Sequence, residues 1–277
     1  MSGPGRPALS EQRLGGGRGT EGVVRVGNTV RRPTGPWTPT IHAYLRHLRA
    51  AGFSCAPNVL GVDEQGREIL EFIEGETWGD AISPDEPKTE MVVVRAWPAA
   101  TRSDRTLAAI GELFAALHAA SRGFRPASPI WREYEVPMKE DEIVCQGDAG
   151  PWNVVSRDGM PAGLIDWDGA RPARPIDDLA SIAWHFVPLG TDDLITTCGF
   201  DRSFDPGRRL RILCDAYGLE DRVSILPALS RVKQLAPMVL RYWQPLRTGA
   251  AANWLRATVA DLDWLDRATP GLLGSLT

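Results

Sequence analysis

Within residues 143–168, two of the carboxylates and one amide, those of Asp148, Asp166 and Asn153, have a spacing that suits phosphoryl transfer. Asp148 follows a short apolar strand, Asn153 returns beside it after a Gly-Pro turn, and Asp166 ends the second strand of a predicted hairpin. In such an arrangement one carboxylate orients an attacking hydroxyl and takes its proton, while the amide and the second carboxylate hold Mg2+ against nucleotide phosphates. The spacing predicts Asp148 as the base and Asn153 and Asp166 as metal ligands.

Each of these residues taken singly has a simpler interpretation, because Asp and Asn are common in turns. The joint pattern is more specific: residues 146–148 read Gln-Gly-Asp, residues 165–167 read Ile-Asp-Trp, and residues 178–180 read Asp-Leu-Ala. Together with Asn153, these motifs resemble the aminoglycoside phosphotransferase-like branch of the protein-kinase fold, whose catalytic loop reads HGDxxxxN and whose metal strand reads IDW. The resemblance implies a small-molecule O-phosphotransferase that uses Mg2+ with ATP or GTP.

The resemblance also implies an α+β, bilobal protein-kinase-like fold, with a small antiparallel-sheet N-lobe and a larger, mainly helical C-lobe. Residues 1–11 are predicted to form a flexible tail, because they are rich in Gly, Pro and Ser and show no hydrophobic periodicity. Residues 12–75 would then form the nucleotide-binding lobe. Residues 76–277 would form the catalytic and substrate-binding lobe.

Three further residues near the catalytic stretch are predicted to support it. Gln146 replaces the His that normally ties the family's catalytic loop to the metal strand, and a Gln side chain can still donate and accept hydrogen bonds. Asp178 is a natural N-cap for the helix that follows, and the resemblance implies that it braces the catalytic loop. Asp168 is either an inward acid behind the metal ligands or an outward loop carboxylate.

Glycine-rich residues 14–22 precede a predicted hairpin over residues 23–32. Glycine lets backbone amides approach phosphates closely, and the resembled fold begins with a glycine-rich hairpin that covers the nucleotide. Gly16 and Gly17 are therefore candidate nucleotide-binding residues. The alternative is an ordinary linker, which would have the same composition.

A kinase-like site also needs a strand cation for the nucleotide phosphates, and here arginine must supply it because no lysine precedes Lys88. Arg31 and Arg32 are the candidates, and strand alternation places them on opposite faces. We prefer Arg31, which shares a face with Thr29. For either residue taken singly, a solvated strand arginine is the alternative.

The helix predicted between Thr38 and Gly52 contains no Glu, although the resemblance implies a Glu there that pairs with the strand cation. His42 occupies roughly that position, and it either takes a weaker form of this role or is an ordinary helix His. Farther along the chain, the resemblance implies that backbone groups near Glu71 to Ile73 bind the adenine edge at the junction between the lobes.

Composition limits the classes of partner. The chain has 277 residues, 43% of them hydrophobic, which is ample for a sizeable core, and its net charge of -4 gives no general attraction to nucleic acid or anionic membrane. The four cysteines form no metal-binding spacing, and no stretch has the length and apolarity of a signal peptide or a membrane span. We expect a reduced, cytoplasmic protein without nucleic-acid or membrane partners.

Charge also bears on the acceptor. From residue 200 onward the chain has 11 basic and 8 acidic residues, whereas binding a polycation favours an acidic surface. The sequence therefore predicts a small hydroxylated metabolite or a weakly cationic antibiotic as the hydroxyl acceptor, with classical aminoglycosides as the second choice. A non-catalytic nucleotide-binding pseudokinase is the alternative, because His, Lys and the helix Glu of the family pattern are all replaced.

Overall fold

The structure is a computed structural model that describes residues 10–14, 20–78, 96–133, 135–235 and 250–277. Most of the predicted tail lies outside these residues, as do Gly16 and Gly17, so their predicted roles stay predictions. Glu11, the last residue assigned to the tail, begins the first strand.

The N-terminal lobe is built on one antiparallel sheet, as the fold prediction requires. The strands are β1 (Glu11–Arg13), β2 (Val24–Val26), β3 (Thr29–Pro33), β4 (Val59–Val62) and β5 (Arg67–Glu71). They follow the order β1-β2-β3-β5-β4, and the first two links join neighbours in sequence. The predicted hairpins over residues 23–32 and 59–73 are both confirmed.

Helix α1 (Thr38–Ala50) joins this sheet to the rest of the protein. Pro39 lies in its first turn, where a missing backbone N–H costs nothing. Tyr44 on its buried face is fully inaccessible to solvent, and its hydroxyl contacts Ser121 Oγ at 2.6 Å and donates to the Val144 carbonyl at 2.5 Å. Because Ser121 and Val144 belong to the C-terminal lobe, this one side chain helps fix α1 against that lobe.

The chain enters the C-terminal lobe beside the hairpin that follows residues 146–153, the candidate catalytic loop. The Glu76 amide donates to the Ser156 carbonyl at 3.0 Å, and the Ser156 amide donates back to Glu76 at 2.8 Å. The hairpin predicted to return the chain to Asp166 is confirmed. A second small sheet pairs residues 143–145 with residues 171–173. The strands are β6 (Ile143–Cys145), β7 (Val154–Arg157), β8 (Met160–Leu164) and β9 (Arg171–Ala173).

Helices form the remainder of the C-terminal lobe and bury its core. The helices are α2 (Asp104–Ser121), α3 (Pro175–Phe186), α4 (Asp192–Thr197), α5 (Pro206–Tyr217), α6 (Ile225–Gln234) and α7 (Ala250–Leu276). Leu117 and Phe114 of α2 and Leu179 of α3 are fully buried in the hydrophobic cluster of the protein. Burying side chains of this size stabilises the fold by about 1.5–3 kcal/mol each.

The described part of the chain contains no helix that is both long and apolar enough to cross a membrane.

Candidate active site

The loop between β6 and β7 brings Asp148 and Asn153 together. The Asn153 amide nitrogen donates to the Asp148 backbone carbonyl at 2.8 Å and to the Asp148 carboxylate at 2.9 Å. A short 3-10 turn begins at Pro151, and it reverses the chain so that the five-residue spacing closes into one contact. The Asn153 amide oxygen therefore lies on the side of the group away from Asp148, where it can serve as a ligand.

Gln146 ties this loop to the strand that carries the second carboxylate. Its side chain is fully buried, its Nε2 donates to the backbone carbonyls of Ile165 at 3.0 Å and Asp166 at 2.9 Å, and its Oε1 accepts from the Asp148 amide at 2.8 Å. Because one carboxamide has both a donor and an acceptor, it satisfies both sides of the junction. The connection is also independent of pH, since Gln does not titrate.

Asp166 follows β8 with a left-handed backbone, at φ 53° and ψ 72°. Asp and Asn adopt this conformation more readily than other side chains that have a Cβ. Its side chain is 39% exposed, so one end of the carboxylate faces the open cleft. The predicted hairpin thus delivers this acid to the same edge of the lobe as the catalytic loop.

Arg32 of β3 crosses from the N-terminal lobe to this carboxylate. Its Nη1 atom lies 3.1 Å from Asp166 Oδ1, its Nη2 atom pairs with Asp168, and the side chain is only 8% exposed. Burial alone would lower the pKa of Arg32, but the charges of Asp166, Asp168 and Glu68 raise it above its ordinary value. The guanidinium is therefore held charged at the cleft.

The preference for Arg31 as the residue facing the cleft is wrong. Arg31 donates to Thr29 Oγ1 at 2.6 Å and lies 3.8 Å from Asp63, and both partners belong to the N-terminal lobe. Alternation correctly separated Arg31 from Arg32, but it could not tell which face of β3 is turned toward the C-terminal lobe. Arg32 is the strand cation that reaches Asp166.

Asp168 points inward, which decides between the two alternatives left open for it. The residue is buried, and its carboxylate accepts from Arg132 Nη1 at 3.1 Å in addition to its pairing with Arg32. Burial raises the pKa of Asp168, and the two arginines counter that rise. Arg132 also lies 5.0 Å from the centre of the Trp37 ring. Sequence reasoning did not single out Arg132 or Trp37.

His42 is buried beside Glu68, a residue that the sequence reasoning also missed. Its Nε2 atom lies 2.7 Å from Glu68 Oε2, while Glu68 Oε1 lies 3.1 Å from Arg32 Nε. His42 thus contacts the partner of the strand cation through a carboxylate that comes from β5 and not from α1. The available signal was an acid at position 68 sharing a strand face with the apolar Leu70.

Aromatic groups lie beside Asp148. The Trp152 indole N–H points at Asp148 Oδ1 across 3.4 Å, and its ring meets His185 edge-on with centroids 4.9 Å apart. Burial lowers the pKa of His185 to about 3, so this ring is neutral at physiological pH. Desolvation by the cleft and the charge on Asp166 raise the pKa of Asp148, although water still reaches its side chain and limits the desolvation.

The predicted adenine-binding segment lies at the end of β5, next to the crossing between lobes. The amides of Glu71 and Phe72 donate to the carbonyls of Asn58 and Asn28, so these two N–H groups are already used within the sheet. The Ile73 side chain packs close to Gly163 of β8. The purine contacts of Glu71 and Ile73 stay predictions, and the Glu71 amide is not available for them.

Asp178 lies in the first turn of α3, so the prediction that it forms the N-cap is wrong. The helix begins at Pro175, because proline is accommodated in the first turn, and Arg174 precedes it as the cap. The Asp178 carboxylate accepts from His118 Nε2 at 2.9 Å, and His118 Nδ1 contacts the Tyr217 hydroxyl at 2.8 Å. This chain of contacts, buried at His118 and Asp178 and half-buried at Tyr217, joins α2, α3 and α5.

Gly147 provides a test of the loop geometry. Its φ of +84° is left-handed, and a Cβ at this position would lie 1.8 Å from the Gly169 carbonyl oxygen. We expect Gly147→Ala to displace the catalytic loop, to lower the free energy of unfolding by at least about 1–3 kcal/mol, and to reduce any activity of the site strongly. Denaturant unfolding and an activity assay check this result.

Gly66→Ala is the matched control for Gly147→Ala. Gly66 has a similar φ of +77°, but a Cβ there would meet no atom within 4 Å. Gly66→Ala therefore has the conformational cost of a side chain at positive φ without a steric clash. Its free energy of unfolding should lie closer to the wild-type value than that of Gly147→Ala. Equal destabilisation by the two substitutions would contradict a tight contact between the catalytic loop and Gly169.

The oxygen groups at this edge suit a magnesium ion. Mg2+ prefers hard oxygen ligands and commonly keeps several waters while one or two protein carboxylates bind it. The Asn153 amide oxygen is left free by the direction of its N–H bonds, and the Asp166 carboxylate is partly open to the cleft. The donor set therefore fits the predicted ion, and the assignment of Asn153 and Asp166 as its ligands stays a prediction.

The architecture is that of protein-kinase-like phosphotransferases, in which an antiparallel-sheet lobe stands on a helical lobe. A choline/ethanolamine kinase family protein from Mesorhizobium loti aligns over 96% of this chain and 91% of its own, with a TM-score of 0.54 and 18% identity. The gentamicin complex of APH(2")-IIa aligns over 91% of this chain and 90% of its own, with a TM-score of 0.56 and 13% identity.

Sequence comparison identifies the family. The model of the phosphotransferase enzyme family matches residues 14–210, which include β2 through most of the catalytic lobe, and this chain belongs to that family. The trifolitoxin immunity protein of Rhizobium leguminosarum bv. trifolii is 37% identical over 210 residues, which make up 74% of this chain and 72% of that protein.

Proposed function

We propose that this protein transfers the γ-phosphoryl group of ATP or GTP to a hydroxyl of a small molecule. The observation that carries the proposal is the convergence of three groups: the hydrogen-bonded Asp148–Asn153 pair, the Asp166 carboxylate and the Arg32 guanidinium. They come from two lobes and from separate parts of the chain. Membership of the phosphotransferase enzyme family supports the same chemistry.

Each residue has one task in this mechanism. Asp148 orients the acceptor hydroxyl and receives its proton, with its carboxylate held by Asn153. The Asn153 oxygen and Asp166 would hold Mg2+, which would supply positive charge to offset the charge of the nucleotide phosphates. Arg32 donates to phosphate oxygens as a second cation. Gln146 keeps the two carboxylate-bearing segments in register through their backbones.

The acceptor is proposed to be neutral or weakly charged. The described wall beside Asp148 is the indole of Trp152 against an uncharged His185, and such a surface suits a ring or an apolar face. The 11 basic residues against 8 acidic residues from position 200 onward disfavour a polycation. Aminoglycosides are therefore the second choice of acceptor, after neutral hydroxylated metabolites and antibiotics.

The name of the 37% identical relative supports the antibiotic branch of this proposal. That protein is an immunity protein against trifolitoxin, and phosphorylation of a toxin hydroxyl is one chemical route to immunity. Trifolitoxin and compounds of its type accordingly belong among the acceptors to be tested for this chain.

The pseudokinase alternative was motivated by the replaced His, Lys and helix Glu. The residues present keep the corresponding contacts: Gln146 joins the loop to the metal strand, and Arg32 is paired with Glu68. These contacts favour catalysis over simple nucleotide binding. Arg32 is paired with Asp166, one of the proposed metal ligands. The pseudokinase is favoured only if nucleotide and metal do not displace Arg32 from Asp166.

A phosphate-transfer assay separates these possibilities. Purified protein is incubated with γ-labelled ATP or GTP, Mg2+, and acceptors of three classes: neutral hydroxylated compounds, trifolitoxin, and polycationic aminoglycosides. We expect label on a neutral or weakly charged acceptor. Mg2+-dependent nucleotide binding with no transfer to any class would favour the pseudokinase, and transfer only to aminoglycosides would overturn the proposed acceptor class.

A further inference from the structure

The cation of a kinase-like site needs a carboxylate partner that belongs to its own lobe, because contacts across the cleft change when nucleotide enters. Helix α1 does not provide one: its sequence from Thr38 to Ala50 contains no Asp or Glu. The partner of Arg32 must therefore come from another element of the N-terminal lobe.

Glu68 is placed for this task by the register of the sheet. Arg32 of β3 and Glu68 of β5 are direct cross-strand partners, so their side chains leave the sheet on the same face. Glu68 Oε1 lies 3.1 Å from Arg32 Nε, and the two residues are only 3% and 7% exposed. A buried arginine of this kind requires a nearby opposite charge.

The second oxygen of Glu68 connects this pair to α1. His42 Nε2 lies 2.7 Å from Glu68 Oε2, and His42 is also buried. One carboxylate thus contacts the strand cation on one side and the helix on the other. In the usual kinase arrangement a glutamate on the helix makes the link between helix and strand cation. In this protein the carboxylate lies on strand β5, and His42 occupies the helix position that the glutamate usually has.

Arg32 uses its remaining nitrogens on the other lobe. Nη1 and Nη2 contact Asp166 and Asp168, whereas Nε makes the close approach to Glu68. No described group is placed to accept a hydrogen bond from the Nε–H, so the contact with Glu68 is an ion pair without a formed hydrogen bond. The contact with Glu68 is fixed by strand register, but the contacts with Asp166 and Asp168 depend on how the lobes are placed.

We propose that Glu68 is the positioning residue for the phosphate-binding cation Arg32, and that His42 holds Glu68 in place from α1. This inference rests on the proposed nucleotide-dependent function. When nucleotide enters, Arg32 exchanges Asp166 for phosphate oxygens while its contact with Glu68 persists. Glu68 then affects nucleotide binding through Arg32 and does not itself contact the nucleotide.

The test is a double-mutant cycle of Arg32 and Glu68, in which calorimetry measures the Kd for ATP or GTP in the presence of Mg2+. Glu68→Gln keeps the side-chain shape and removes the charge, so nucleotide Kd should rise about tenfold, which lies within the usual coupling between residues of one ion-pair network. Arg32→Gln should raise Kd by at least as much. The double variant should match Arg32→Gln alone, because Glu68 acts only through Arg32.

Additive effects in the cycle, or an unchanged Kd in Glu68→Gln, would overturn the role of Glu68. Glu64→Gln is the matched control, since Glu64 is exposed in the turn between β4 and β5, and its Kd should equal that of the wild type. Absence of nucleotide binding by the wild type would instead contradict the proposed function. The two failures are therefore distinguishable.

A relocation variant keeps the test decisive should Glu68→Gln unfold. The double substitution His42→Glu with Glu68→Gln returns the carboxylate to α1 and preserves a hydrogen-bonding side chain on β5. We expect this variant to fold and its nucleotide Kd to lie within about threefold of the wild-type value, because Arg32 keeps a carboxylate partner in its own lobe. A folded relocation variant with nucleotide affinity as weak as Arg32→Gln would refute the proposal.

Discussion

Replacing Asp148 with Asn is expected to lower the rate of phosphoryl transfer by at least about a hundredfold, the usual contribution of a positioned general base. The substitution removes the proton acceptor but keeps the side-chain size, and the Asn153 contact with the backbone carbonyl at 148 remains. Nucleotide binding should change little, because Asp148 is not one of the proposed metal ligands. Steady-state kinetics and calorimetry measure the two properties separately.

Asp158→Asn is the matched control for this experiment. Asp158 is an exposed residue in the turn between β7 and β8, ten residues from Asp148, and its φ of 52° is one that Asn adopts readily. This control should retain wild-type turnover. Full turnover in Asp148→Asn would remove Asp148 from the mechanism and with it the assignment of the loop.

Replacing Asp166 with Asn should have the second large effect. The neutral side chain weakens the magnesium site, so turnover should fall by roughly a hundredfold or more, and Mg2+ should no longer strengthen nucleotide binding. The fold should be preserved, because Asn tolerates a φ of 53° and Gln146 bonds only to the backbone of residue 166. Nucleotide titrations with and without Mg2+ measure this loss.

The Asp158→Asn control applies here as well, because positions 158 and 166 have almost the same left-handed φ. It tests whether exchanging Asp for Asn in this backbone conformation has any effect of its own. An Asp166→Asn protein whose nucleotide affinity still increases with Mg2+ as in the wild type would show that another group holds the ion.

The parts of the site that sequence could predict are those formed by neighbouring residues. Asp148 and Asn153 lie on one loop, and the hairpin that returns the chain to Asp166 is specified by a turn and two short apolar strands. Gln146 also makes the contacts that its donor and acceptor groups allow. Local sequence determines local geometry here, so motif and structure agree.

The parts that sequence could not predict depend on contacts between distant segments. Alternation along β3 separates Arg31 from Arg32, but only packing against α1 and the C-terminal lobe decides which face is buried. The same packing brings Glu68 from β5 to Arg32. An acid on the apolar face of β5 was a usable signal, since a buried carboxylate requires a partner.

Asp178 shows a similar limit for helix starts. An acid before an apolar run is typical of an N-cap, yet the helix begins three residues earlier at Pro175. The carboxylate is used instead by His118 of α2, a contact across sixty residues of sequence. The exact first residue of a helix, to within one turn, therefore depends on the tertiary contact that the acidic side chain makes.

The most direct test of the proposed nucleotide-dependent chemistry is a thermal-shift titration of the wild-type protein with ATP and GTP, each with and without Mg2+. Nucleotide at about a hundred times its Kd should raise the melting temperature by roughly 5 °C for a chain of this size, and the rise should require Mg2+. This result would match a site in which Asn153 and Asp166 hold the ion and Arg32 binds phosphate. An unchanged melting temperature with both nucleotides in the presence of Mg2+ would contradict it.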